Sequence, residues 1–158
     1  MIEKAGRYRL PWQCLATLCI IGGFMTPPAQ AGNVADAKAI RSVISATYDK
    51  PGIKVKTDPI AVVGDFAVAD WIQGDNGGRA LLQKSKGKWA ITSCGGDAFK
   101  EVATLMSTGI PKGTAEQLVQ QLGQAEKSLS AEQVKRFGLF GTANDPRVKA
   151  AQSQHHKH

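Results

Sequence analysis

The segment from Ile60 to Asp97 constrains the fold most, because its pattern is that of consecutive β-hairpins. Apolar runs of strand length follow Val62-Val63, and short polar turns made of Gly, Asp, Asn, Ser and Lys separate them. This alternation is typical of an antiparallel meander. We expect the turns at Gly64-Asp65, at Asn76-Gly77 and in the segment 85–88, where glycine can supply a positive φ.

These turns predict four strands. The first includes Ile53 and Val55 and continues from Ile60, with an interruption at Asp58-Pro59. Because proline cannot donate to a β-ladder, this strand is expected at an edge of the sheet. The other strands are expected from Phe66 to Gln73, from Arg79 to Lys84 and from Lys88 to Cys94.

The flanking segments predict helices on either side of the meander. One N-terminal helix is expected from Val34 to Lys50, and about three C-terminal helices are expected after Asp97, after a Thr114/Gln117 capping box and after a Ser130/Gln133 capping box. The predicted fold class is therefore α+β. Because both faces of the second strand are largely apolar, we expect helices over one face and the sheet curled over itself on the other. A cystatin-like or ketosteroid-isomerase-like roll has this form.

Residues 1–31 have the pattern of a signal peptide. A basic start precedes an apolar run from Leu15 to Met25, and small residues follow at Ala29 and Ala31. The apolar run is shorter than the roughly 20 residues that a membrane-spanning helix needs. We therefore expect export to the periplasm, cleavage after Ala31 and no stable membrane insertion afterwards; a retained anchor is the alternative.

The mature chain is predicted to form one domain, residues 32–141, followed by a flexible tail, residues 142–158. Removal of the leader takes away three basic residues and one acidic residue, which lowers the net charge from +7 to +5. The remaining lysines and arginines are spread over turns and helix faces rather than gathered with aromatic residues. A solvated surface accounts for this pattern better than nucleic-acid binding does.

Cys94 is the single cysteine of the predicted mature chain, so an intramolecular disulfide is not possible. It directly precedes Gly95-Gly96 and the next predicted helix, whose dipole favours the thiolate that acts as a nucleophile or metal ligand. The alternative is a buried cysteine that behaves as a small hydrophobe.

Asp70 also has two interpretations. Among apolar neighbours it could act as a general base with a raised pKa. Near the end of its strand, it could instead reach water or Arg79 across the hairpin, and this second interpretation is the one we favour.

The three histidines of the protein, His155, His156 and His158, all lie in the predicted tail. A flexible tail cannot hold a general base in catalytic geometry, so we do not expect an enzyme that depends on histidine. Imidazoles do bind Cu, Zn or Ni, and short His-rich tracts are metal-binding compositions. A solubilising tail or the trace of a cloning tag are the alternatives.

Much of the mature chain resembles the small bacterial copper uptake system-associated proteins. The resemblance rests on the helix containing Ala37, Ala39, Ile40, Arg41, Val43 and Ile44, on the block GDFAVADWIQGDNGGRALL and on the block WAITSCGGDA. It implies a periplasmic protein that works beside copper-acquisition proteins of the cell envelope.

The functional hypothesis is therefore a periplasmic accessory of copper uptake. His155, His156 and His158 would collect the metal, and Cys94 would receive Cu(I), because a soft ion suits a thiolate. The alternative is a small-ligand binder or enzyme with a pocket of several hundred Å3 lined by Trp71, Trp89 and Phe66, in which Asp70 or Asp97 moves a proton. A weaker alternative is a protein-interaction module that uses the sheet edge at 53–59.

Overall fold

A four-stranded antiparallel sheet forms the centre of the fold in the computed structural model, which describes residues 28–149. Its strands are β1 (Lys56–Val63), β2 (Phe66–Gln73), β3 (Asn76–Ser85) and β4 (Lys88–Gly95), and they lie in the order β1-β2-β3-β4. The predicted meander is confirmed, and β1 lies at an edge as expected. Its pairing with β2 shifts register between Thr57 and Ile60, around the proline that cannot donate.

The middle turn differs from the prediction. The chain reverses at Gly74-Asp75, where Gly74 has a φ of 57°, and Asn76 already pairs with Gln73. Gly77 is needed for another reason: a Cβ there would lie 2.6 Å from the Arg136 carbonyl oxygen. The glycine that sequence reasoning assigned to a turn therefore admits a neighbouring helix.

Helices cover both faces of the sheet, where we had expected the sheet to curl over itself on one of them. They are α1 (Pro28–Tyr48), α2 (Val102–Ser107), α3 (Lys112–Glu126) and α4 (Ala131–Gly138), with a 3-10 helix at Asp97–Lys100. One core cluster joins α1 to the sheet and includes Ile40, Ile44, Ala67, Ala69, Trp71, Leu82 and Trp89. The other joins α2 and α3 to the opposite face and includes Val68, Leu81, Phe99, Leu105, Leu118 and Leu122.

The observed starts of the helices can be compared with the predicted capping boxes. The Ser130/Gln133 capping box is present at the start of α4, with Gln133 N donating to Ser130 Oγ at 3.3 Å. The Thr114 box is wrong, because α3 already begins at Lys112, directly after Pro111. The N-terminal helix begins at Pro28 rather than Val34, which is consistent with the tolerance of helices for proline in their first turn.

Ordered structure continues past Gly141, where the flexible tail was expected to begin. Asp145 is only 2% exposed and accepts hydrogen bonds from the backbone N–H groups of Gly141 and Arg147, at 2.8 and 3.0 Å. A helical turn follows at 146–149. The folded domain therefore includes residues up to at least 149.

Two predicted segments lie outside the described residues: almost all of the leader, and the end of the chain that carries His155, His156 and His158. Between residues 28 and 149, none of the helices combines the length and apolar character needed to cross a membrane.

Candidate functional site

Cys94 opens onto a cavity of about 360 Å3 at one end of the sheet. The residue lies near the end of β4, pairs with Ala80 on β3 and is half-buried. The cavity is lined by Thr47, Tyr48, Asp49, Lys50, Trp71, Gln73, Asn76, Cys94, Phe140 and Arg147. Its wall thus combines the end of α1, the sheet and the segment after α4.

Tyr48, the last residue of α1, is the immediate neighbour of the thiol. Its hydroxyl oxygen lies 3.6 Å from Cys94 Sγ, and this contact together with burial raises the pKa of Tyr48. Gln73 Nε2 donates to the Tyr48 carbonyl oxygen at 2.6 Å, which ties the helix end to β2. The backbone of Tyr48 is therefore tied to the sheet that carries Cys94.

Asp49 fixes the same helix end from the other side. Its carboxylate accepts a hydrogen bond from Ser45 Oγ at 2.7 Å and another from the Val55 backbone N–H at 2.8 Å. These bonds lower the pKa of Asp49, because they favour the ionised form. The carboxylate therefore lines the cavity, and its hydrogen bond to Val55 also stabilises the turn that leads into β1.

Arg147 closes the cavity on the side of the C-terminal segment. Its guanidinium carbon lies 3.9 Å from the centre of the Phe140 ring and 5.8 Å from the centre of the Trp71 ring. Two nitrogens of the guanidinium donate to Asp145, and this pairing holds the pKa of Asp145 well below its usual range. Because Asp145 neutralises it, Arg147 acts mainly as a wall and an anchor for the segment 142–149.

Among residues 28–149, Cys94 does not belong to a complete set of metal ligands. That part of the chain contains no group of three or more His, Cys, Asp or Glu side chains placed to hold a metal ion. A complete site would need further ligands, and the three histidines of the chain follow the cavity residue Arg147 in sequence. Eight residues lead from Arg147 at the cavity to His155, a length that spans at most about 28 Å.

The pocket predicted from the sequence is only partly present. Trp71 lines the cavity, but Trp89 and Phe66 do not. Trp89 lies elsewhere under α1 and donates to Asp36 at 2.9 Å, while Phe66 packs against the opposite core. Alternation along the strands explains the error, because Phe66 and Trp71 are five residues apart and so point to opposite faces.

Asp70 and Asp97 do not line the cavity either. As favoured from the sequence, Asp70 lies opposite Arg79, with Nε 3.1 Å from Oδ1. Of the two expected partners, water or Arg79, the structure shows Arg79, and both side chains are fully buried. Asp97 is expected to cap the following helix, yet it binds Arg79 instead and makes no cap hydrogen bond.

Sequence reasoning missed three cavity residues: Tyr48, Phe140 and Arg147. Tyr48 shares the helical spacing of the apolar residues of α1, and Phe140 lies two residues after α4, so nothing in the sequence connects either with Cys94. Arg147 follows Gly141, in a stretch without a periodic apolar pattern. The one signal that could have located it is the spacing of Asp145 and Arg147, which allows a local ion pair.

No protein-family model, curated protein or solved structure matches this chain. The cavity is therefore interpreted from its own chemistry.

Proposed function

We propose that this protein is a periplasmic accessory of copper uptake that binds copper through Cys94 and the histidines at its C-terminal end. The single observation that carries the proposal is the position of Cys94, half-buried at a cavity whose rim is the C-terminal segment itself. The same segment leads, within eight residues, to His155. The resemblance to copper uptake system-associated proteins, stated from the sequence, supports the choice of metal.

The ligand types favour copper over harder ions. A thiolate and imidazoles suit Cu(I), and imidazoles also bind Cu(II), whereas Mg²⁺ and Ca²⁺ prefer oxygen ligands. Tyr48, at 3.6 Å from the sulfur, limits access from the side of α1. Cys94 also borders a more open depression of about 530 Å3 with Val43 and Trp89, but a metal carried by the chain end arrives at the cavity that the C-terminal segment lines.

The proposed partners are copper-acquisition proteins of the cell envelope. A site with few ligands in the folded domain suits a protein that passes its metal on, because each lost ligand lowers the barrier to transfer. Export to the periplasm, proposed from the leader, would bring the protein to those partners.

Competitive copper titration of the mature chain, Gly32 to His158, tests the proposal. Cu(II) is titrated first and then Cu(I) under reductant, with Cys94→Ala and a chain ending at Gln154 measured in parallel. We expect Cys94→Ala to lose Cu(I) binding and the shortened chain to lose Cu(II) binding. Binding of neither ion tighter than about 10 μM, roughly 7 kcal/mol, contradicts the proposal.

The cavity supports a second candidate, binding of a small apolar molecule. Trp71 and Phe140 meet edge to face, with their ring centres 5.9 Å apart, and a volume of about 360 Å3 is sufficient for a small ligand. This candidate predicts ligand binding that quenches Trp71 fluorescence and is unchanged in the chain ending at Gln154. Loss of that binding on shortening contradicts it.

A further inference from the structure

A cluster of charged side chains is buried on the face of the sheet covered by α3, away from the cavity. Arg79 of β3 is fully buried and meets three carboxylates. Its Nε lies 3.1 Å from Asp70 Oδ1, its Nη1 donates to Asp97 at 2.8 Å, and its Nη2 donates to Glu126 at 2.6 Å. Glu126 is the last residue of α3, so this cluster fastens the end of that helix to the sheet.

The remaining elements around the cluster supply one more cation and one aromatic ring. Lys100 of the 3-10 helix donates to Glu126, and the Phe137 ring of α4 lies 5.8 Å from the guanidinium carbon of Arg79. Two cations thus face three carboxylates. If every group were ionised, one negative charge would be in excess, and only Asp97 and, in part, Lys100 reach water.

Asp70 is the carboxyl group that is least able to carry that charge. Glu126 accepts hydrogen bonds from both cations, and the Asp97 side chain is 73% exposed. Asp70 is fully buried, and neither of its oxygens accepts a hydrogen bond. An ionised carboxylate in such a place costs far more free energy than a neutral carboxylic acid does.

The pKa values of Asp70 and Glu126, the two buried carboxyl groups, shift in opposite directions. Burial raises the pKa of Asp70 to about 8, despite the opposing charge of Arg79, and the nearby charge of Glu126 adds to the rise. Burial alone would raise the pKa of Glu126 as well, but the hydrogen bonds from Arg79 and Lys100 outweigh it and lower that pKa.

We propose that Asp70 keeps its proton in the folded protein, and that the cluster of Asp70, Arg79 and Glu126 is a pH-sensitive clamp on the C-terminal end of α3. Opening of the clamp exposes Asp70 to water, where an aspartic acid loses its proton near pH 3.8. Between about pH 4 and pH 8 the closed form therefore holds one proton more than the open form. Opening becomes easier as the pH rises through this interval, by up to about tenfold per pH unit, and levels off above it.

Amide hydrogen exchange of the mature chain between pH 5 and pH 8 tests the proposal, with rates divided by the intrinsic rates at each pH. In the natural chain, protection of the α3 amides near Leu122 is expected to fall at each pH step. Asp70→Asn keeps the shape of a neutral acid and cannot titrate, so its protection is expected to stay constant. Asp65→Asn, in the exposed turn before β2, is the matched control and is expected to behave as the natural chain does.

Equal pH dependence in the natural chain and in Asp70→Asn overturns the proposal. If Asp70→Asn does not fold, the carboxyl 13C shift of Asp70 in the natural chain, assigned from its own backbone, still decides. A midpoint near pH 8 supports the clamp, and a midpoint below pH 5 overturns it. None of these measurements involves copper, so their failure leaves the proposed function untouched.

Discussion

The two faces of the sheet differ most where β2 and β3 pair next to their connecting turn. Asp70 lies opposite Arg79 and both point towards α3, while the adjacent pair, Trp71 and Gly78, faces the cavity. One pair buries two ionisable side chains. The other pairs a large ring with no side chain, and the space above Gly78 is taken by Phe140. Adjacent residues of β2 and β3 thus form the clamp on one face of the sheet and part of the cavity wall on the other.

The largest effect on stability is expected when Arg79, the central cation of the clamp, is removed. Arg79→Leu leaves Asp70 and Glu126 buried without their main cation, and we expect the free energy of unfolding to fall by about 3–5 kcal/mol. Urea denaturation followed by circular dichroism measures it. Arg41→Leu removes an exposed pair with Asp58 and is expected to cost less than about 1 kcal/mol. Equal losses of unfolding free energy in the two variants would contradict a stabilising role of the clamp.

On the cavity face, a substitution at Gly78 is expected to lower the stability. A Cβ there would lie 2.7 Å from Trp71 and 2.8 Å from Phe140, so Gly78→Ala must displace one of the rings. We expect a loss of about 1–3 kcal/mol in unfolding free energy, together with a changed near-ultraviolet spectrum. Gly123→Ala in α3, where the new methyl group meets nothing within 4 Å, is the control and should stabilise by about 0.5–1 kcal/mol. A neutral Gly78→Ala would contradict the close packing described for this face.

The C-terminal segment at the cavity can be released by a substitution that leaves the residues of the sheet unchanged. Asp145→Asn removes the charge that holds Arg147, and we expect a cost of about 1–2 kcal/mol and a faster reaction of Cys94 with a thiol reagent. The reaction is followed spectroscopically at constant pH, with Asp65→Asn as the control for loss of one surface charge. An unchanged rate would mean that the segment does not limit access to the cavity.

The smallest effect concerns the two capping boxes. Ser130→Ala removes a cap that is present at α4 and is expected to cost about 1 kcal/mol. Thr114→Ala alters a residue inside the first turns of α3, where alanine is the better helix former, so little change is expected. Thermal unfolding of the two variants compares them directly, and a larger loss for Thr114→Ala would contradict the observed start of α3.

The hairpins were predictable from the sequence because strand alternation and turn residues act locally. The turn at Gly74-Asp75 was missed because Asn76-Gly77 has the stronger turn signal, and the need for Gly77 arises only from the distant Arg136. Thr114 and Ser130 present the same capping pattern, and only packing distinguishes them. The Asp70 and Arg79 pair could be anticipated across a hairpin, but its burial depends on α3 and the 3-10 helix.

The cavity was less predictable, because its wall is assembled from segments far apart in the chain. Cys94 was identified through its place before a helix, while its neighbours Tyr48 and Arg147 lie 46 residues before it and 53 residues after it. No local pattern connects such positions. Sequence reasoning therefore pointed to Cys94 and left its surroundings unspecified.

The most direct test of the account is a Cu(I) titration of the 15N-labelled mature chain followed by two-dimensional NMR. We expect shifts at Cys94, Tyr48 and Arg147 and in the terminal histidine segment, with the α3 amides of Leu118, Leu122 and Glu126 unmoved. Shifts centred on the α3 face, or saturation without any change at Cys94, would contradict the division of the sheet into a structural face and a metal-binding one.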